Sequence, residues 1–482
     1  MGAIGGAGFT GFCFGIIIGG VVVDKIGYAA LVIAAVACHI LSAFVTFGAS
    51  TPDNAYVMLW LGMFIFAFAN GTLEAVSNPL VATLFPENRN HYLNILHASW
   101  PLGMIIGALI GWVLDDKMEV GWKIQLALYL VPTLIYGGMF FRQKFPRSEA
   151  VEKGIPFADM FKDVGLLGGA VVCYLLGLFL DGLIPVPYVG LAIGAALWIG
   201  LGLMTKFSMG SVLLFVLFII HALVGSVELG TDGWIQNITG NLFSSEAGKW
   251  LFIWTSAIMF SLRFCAHFIE EKLRLSPVAL LLVCSIIAYL GLTFASGMQG
   301  LVAAFGALGL YAIGKTFFWP SMLAVASDRF PRTGAVAISL MGGIGMMSAG
   351  LIGTPGLGYL KDRYSAEELK STAPEVYADV KSETPSSFLN ISSTEILPID
   401  GKILGEAKEA TMKKAADNTQ NAIVAADQIG DRKTLKSDAV IPAVMALMFL
   451  GLVLYFKSIG GYKALSIEED GDNSQGAKEP AS

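Results

Sequence analysis

The chain is a succession of apolar runs, each about as long as a lipid bilayer is thick, and that rhythm leaves very few folds open to it. Windows of apolar residues fall near 4–23, 27–49, 56–85, 92–114, 121–141, 164–182, 186–205, 211–238, 248–269, 276–296, 299–327, 334–358 and 438–457. A helix of about 20 such residues crosses a hydrocarbon core of about 30 Å with all of its backbone groups bonded internally. The expectation is an all-α polytopic membrane protein of about thirteen spans. Composition agrees: 55% of residues are hydrophobic and only 14% charged, and mean hydropathy is +0.67, far from a soluble domain.

Charge placement sets the expected orientation. Lys and Arg gather after the fifth run (Arg142, Lys144, Arg147, Lys153, Lys162), after the ninth (Lys272, Arg274) and around Arg329 and Arg332. Such loops stay in the cytoplasm. The opposite loops, at 50–54, 181–187 and 296–299, carry no Lys or Arg and should face outward. On this reading Met1 is outside and the C-terminus inside. The first run has neither a basic flank nor a cleavable signal pattern, so a further helix before Met1 is expected, the alternative being an external start. The formal charge of -6 lies mostly in loops and tail, with no basic patch for nucleic acid. Cys13, Cys38, Cys173, Cys265 and Cys284 fall singly in apolar segments, without the spacing of disulfides or metal sites.

Within this apolar background Glu74 stands out, on a helical stripe with Asn70, Ser77 and Asn78. An acid near mid-membrane costs roughly 2.5 to 3.5 kcal/mol on insertion scales, so such groups face a wet pathway. Other polar residues also recur at three- and four-residue steps: Asn94, His97 and Pro101; His221, Gly225, Glu228 and Asp232; Tyr311, Lys315 and Trp319. Together they suggest one shared cavity. Amides and carboxylates that bind hydroxyls, with aromatic faces that cover C–H patches, are what a sugar needs. Plainer readings stand beside these: a hydrogen-bonded structural carboxyl for Glu74, core histidines for His97 and His221, an ion pair for Lys315, and packing or interface belts for Trp100, Trp234 and Trp319. Gly103, Gly107 and Gly111 recur every four residues, as on a helix-packing face. A second glycine run, from Gly342 to Gly356, would let two halves slide or rock. Neither run is followed by the Lys-Ser or Lys-Thr of a phosphate loop, so no nucleotide cofactor is expected.

The segment GTLEAVSNPLVATLFPENRNHYLNILHASWPLGMIIG, residues 71–107, resembles the fourth and fifth helices of the fucose permease family within the major facilitator superfamily. The resemblance rests on the intramembrane Glu74, the Asn78-Pro79 pair, the Pro86-Glu87 helix end and the Leu93-Asn94 opening. GGVVVDKIGYAA, 19–30, is similar to the superfamily's loop after its second helix. VGSVELGTDGW, 224–234, resembles the seventh helix, and FFWPSMLAVASDRFPRTGAVAISLMGGIG, 317–345, the tenth and eleventh. The resemblance implies two helical halves, absence of the family's first helix, and a helix pair inserted between the halves.

The expected organisation is an N-terminal half at 1–141, a cytoplasmic loop at 142–163, the inserted pair at 164–210 and a C-terminal half at 211–360. A long external loop at 361–437, a last helix at 438–458 and a disordered acidic tail at 459–482 follow. The functional expectation is a monomeric secondary transporter in the cell's inner (plasma) membrane, moving a small solute, expected to be a monosaccharide, by alternating access with proton symport. Glu74 is the expected proton-coupling residue, since a carboxyl that alternates between dry and wet surroundings exchanges its proton. Asn78, Asn94, His97, Glu228, Trp234, Lys315 and Trp319 are the expected substrate-binding residues. Sodium-coupled or facilitative passage of another polar solute, and a non-transporting sensor on the same fold, remain open alternatives. No loop-borne nucleophile, metal cluster or paired acids suggest an enzyme.

Overall fold

The computed structural model describes residues 2–388 and 397–467. The acidic run expected in the tail, Glu468 to Asp472, lies outside them. Thirteen apolar helices follow one another: α1 Ala7–Ile26, α2 Tyr28–Phe47, α3 Pro52–Leu84, α4 Arg89–Asp115, α5 Trp122–Phe140, α6 Gly165–Leu183, α7 Val189–Met204, α8 Val212–Leu242, α9 Ser245–Arg263, α10 Pro277–Ser296, α11 Leu301–Arg329, α12 Val336–Thr372 and α13 Asn418–Ser458. Among the described residues, eleven are long and apolar enough to cross a membrane; α9 joins Ala266–Leu273 at a 55° bend to make a twelfth, and α7 is shorter.

Helices α1–α5 form one half and α8–α13 the other, with α6 and α7 as a hairpin between them in sequence. Glycine permits the close approaches. A Cβ on Gly71 would lie 2.0 Å from the Phe12 carbonyl oxygen, so α1 and α3 meet backbone to backbone. The halves meet where α1 crosses α12, with Ile16 and Ile17 against Gly342 and Gly343 and Phe9 against Gly350. They meet again where α4 packs on α9 and α11. The Gly103, Gly107 and Gly111 face is a correction: a Cβ at any of the three would touch nothing within 4 Å. Only Pro101 is buried in Ser99–Gly111, because this part of α4 turns its small residues outward.

Several helices are interrupted where the halves meet. α3 carries Pro79 in its interior, and α4 breaks after Arg89–His97. α8 and α12 contain π-helical turns at Ser226–Gly230 and Ala349–Gly353, which face each other: Ser226 Oγ is 2.7 Å from Ser348 Oγ. A π turn inserts a residue and frees backbone groups, a common device at functional sites.

The polar stretch after residue 360 shows little apolar periodicity, yet most of it folds. α12 runs on to Thr372, Pro374–Val380 and Gly401–Met412 form short helices, and α13 begins at Asn418. These pieces pack into a cap with its own core of Leu369, Val380, Ile399, Ala407, Ile423, Val424 and Ala426. Buried ion pairs replace part of the missing apolar stripe: Lys361 Nζ is 2.7 Å from Asp431 Oδ1, and Lys408 Nζ 2.7 Å from Asp427 Oδ2. Asn241 Nδ2 on α8 donates to Asp427 Oδ2 at 2.7 Å, tying the cap to the second half.

At the opposite end, which carries the basic loops, the halves are latched. Arg89 Nη1 donates to Asp328 Oδ1 at 3.2 Å and Asn90 Nδ2 to Glu270 Oε1 at 2.9 Å. Asp24 Oδ2 accepts from the Ala335 backbone N–H at 3.2 Å. All three contacts join α1 or α4 to the second half.

Candidate functional site

Midway between the two ends a chain of hydrogen bonds crosses from one half to the other. In α3, Asn78 lies one turn beyond Glu74, so its Nδ2 donates to Glu74 Oε1 at 3.0 Å. Trp319 Nε1, reaching from α11, donates to the same oxygen at 3.2 Å. Asn78 turns its Oδ1 toward His97 Nε2 at 3.0 Å. Because the first part of α4 ends at His97, its carbonyl is free to accept, and Arg263 Nη1 donates to it. Arg263 ends α9 at the 55° bend; its Nε donates to the Thr316 carbonyl at 3.1 Å and its Nη2 to Glu228 Oε1 at 3.1 Å. Glu228 lies in the π turn of α8.

Glu74, His97, Glu228, Arg263 and Trp319 line a cavity together with Trp100, Leu229 and Met346. Its volume is about 20 Å³, room for roughly one water. With the basic end latched and the centre collapsed, the structure is closed around this point. Arg263 and Glu228 are 1% and 2% exposed. Charges buried to that degree persist only when paired and hydrogen-bonded.

A second group lies deeper in the C-terminal half. Lys315 Nζ pairs with Asp232 and sits 5.2 Å from the centre of the Tyr311 ring. Tyr311 donates its hydroxyl to the Val227 carbonyl, in the π turn, at 2.6 Å. Of the residues the sequence singles out, Glu74, Asn78, His97, Glu228 and Trp319 come together, with Lys315 close by in the same half. Asn94 and Trp234 are set apart. Asn94 Nδ2 donates to the Asn90 carbonyl at 2.8 Å, toward the latched end, and Trp234 Nε1 to the Thr354 carbonyl at 3.1 Å, between α8 and α12. His221 packs its ring 4.6 Å from that of Trp319. Among the described residues no group of three or more His, Cys, Asp or Glu could hold a metal ion.

The residue that sequence reasoning missed is Arg263, the cation linking the two halves. Its signal was present: a lone Arg inside the apolar run 248–269 is as costly as Glu74. It lies near the end of that run, where long basic side chains ordinarily snorkel to the membrane surface.

A family model described as Major Facilitator Superfamily matches residues 1–354. The chain belongs to the major facilitator superfamily, a multi-pass membrane protein with a transporter fold. Solved structures share that fold at low identity. The E. coli fucose:proton symporter FucP is 15% identical over 92% of this chain and 90% of its own, with a TM-score of 0.53. The proton:xylose symporter XylE bound to 6-bromo-6-deoxy-D-glucose is 13% identical over 98% and 88%, at 0.56. The human organic anion transporter MFSD10 is 13% identical over 93% and 83%, also at 0.56. No curated protein matches the chain by sequence.

Proposed function

We propose that this protein is a secondary transporter that carries a monosaccharide together with a proton across the cell's inner membrane. The basic-loop end and the C-terminus face the cytoplasm, and the helical cap faces outward. The halves rock about the central cavity, exposing it to each side in turn. Glu74 is the proton-coupling carboxyl. Asn78, His97, Glu228 and Trp319 contribute hydroxyl-binding groups and an aromatic face, and Lys315 supports them from behind. The chemistry of two sugar symporters with this fold is compatible with such a lining, and the residues of this chain supply the argument.

One observation carries the reading. Glu74 is held by two neutral donors, Asn78 and Trp319, at the junction of the halves, so it can gain or lose a proton without breaking an ion pair. When the halves part, the Trp319 contact opens and water reaches the carboxyl.

The test uses the full chain in liposomes with a trapped pH-sensitive dye. Radiolabelled L-fucose, D-galactose, D-glucose and D-xylose are supplied in turn, with D-glucuronate as an anionic control. The expected result is uptake of at least one neutral sugar with proton influx, and loss of that influx in Glu74→Gln. Undiminished influx in the variant removes Glu74 from the mechanism. Arg263 on the cavity wall favours a second reading, an anionic solute, and selective uptake of D-glucuronate would establish it.

A further inference from the structure

One buried acid at the foot of the cap has no role in the scheme above. Asp438 sits at the junction between the cap portion of α13, Asn418–Asp438, and its apolar portion, Val440–Ser458. It is 2% exposed. Its Oδ2 accepts from Thr231 Oγ1 at 2.6 Å, and its Oδ1 has no partner among the described residues.

A carboxylate that only fastened two helices would have both oxygens satisfied. Asn241 and Lys361 already fasten this region through Asp427 and Asp431. A buried acid with one hydroxyl donor and no paired cation is instead a place where a proton binds.

The surroundings point the same way. On α8, Glu228 and Asp232 each leave one buried oxygen without a partner. On α11, Lys315 is committed to Asp232, and the Tyr311 hydroxyl lies within electrostatic reach of Asp232, Asp438 and Glu228. From α12, Tyr364 bonds Ser437 at 2.7 Å and Lys361 bonds Asp431. α10 adds Cys284 and Tyr289 as its titratable residues. Of these three acids of the C-terminal half, Glu228 is paired with Arg263 and Asp232 with Lys315, and Asp438 has no cation partner among the described residues.

Asp438 also ends a polar stripe. Asp427, Asp431, Thr434 and Asp438 recur at four-, three- and four-residue steps on α13, so they share one helix face. All four are at most 2% exposed. The stripe descends from the cap, where Lys408, 29% exposed at its side chain, pairs with Asp427.

We infer that Asp438, held by Thr231 beside Asp232, is a second proton-binding carboxyl, placed in the C-terminal half and connected to the cap along the stripe on α13. Its ligand is the proton. The inference deepens the proton-coupled reading and rests on it for its place in transport, but proton binding itself can be measured separately.

Infrared difference spectroscopy of the full chain in liposomes, with H₂O exchanged for D₂O, reads protonated carboxyls directly. The expected result is a deuterium-sensitive carboxylic-acid band that disappears in Asp438→Asn and shifts in frequency, without disappearing, in Thr231→Val. A purely structural carboxylate gives no such band. In transport of whichever sugar in the panel above is taken up, Asp438→Asn should lower pH-driven accumulation by about ten-fold or more while leaving exchange at zero gradient within about two-fold. An unchanged band in Asp438→Asn overturns the proposal. If wild-type uptake ignores a pH gradient while the band behaves as expected, proton symport fails and the Asp438 site stands.

Discussion

The two halves treat buried acids differently. In the N-terminal half Glu74 is bonded by an amide and an indole, both neutral. In the C-terminal half Glu228 and Asp232 are each bonded by a cation, Arg263 and Lys315. The pairing shows which groups can change charge cheaply. Neutralising an acid held by neutral donors leaves no orphan, whereas neutralising one partner of a buried ion pair leaves an uncompensated charge. The two ion pairs of the C-terminal half, unlike Asp438 with its neutral Thr231 donor, therefore supply fixed electrostatics against which a proton on Glu74 can be read.

Variants can break or sharpen this contrast. Arg263→Met strands Glu228 and leaves the His97 and Thr316 carbonyls without their donor; it should destabilise the protein by about 3–5 kcal/mol, measured by unfolding in mixed micelles, and pairing it with Glu228→Met should recover most of the loss. Lys315→Met should have a smaller effect, on the order of 3 kcal/mol, because the Asp232 side chain is 9% exposed and gains some hydration; the double variant with Asp232→Leu tests the pairing. Asn78→Leu removes one donor to Glu74 and the acceptor for His97, at about 1–3 kcal/mol. Glu74→Gln keeps an oxygen for Asn78 and Trp319 and should change stability by less than about 1 kcal/mol while abolishing proton influx. A Glu74→Gln loss as large as that of Arg263→Met would end the distinction between the halves.

Much of this was legible in the sequence. The helical count, the Glu74–Asn78 step and the inward Trp319 follow from length and from three- and four-residue spacing, which are local properties. What stayed hidden depends on partners distant in sequence. Arg263 looked like an end-of-span basic residue because only the 55° bend turns it inward. Asp438 lies where a polar stretch meets the last apolar run, so neither pattern claimed it. The cap was unreadable by hydropathy because pairs such as Lys361 and Asp431 do inside it what Leu or Ile would do in an ordinary amphipathic helix. Asn94 and Trp234 share periodicity with cavity residues yet point elsewhere, because spacing fixes a face of a helix and not what that face meets.

The matched π turns in α8 and α12 have a mechanical corollary. From Gly353 to Thr372, α12 continues as a rigid rod of about 28 Å at 1.5 Å per residue, with the cap mounted on it. A flexure of about 10° at the turns would carry the tip of that rod through about 5 Å. Spectroscopic labels on the cap and on α3 would therefore act as a pointer and scale, magnifying small displacements at the centre into distances that can be measured easily.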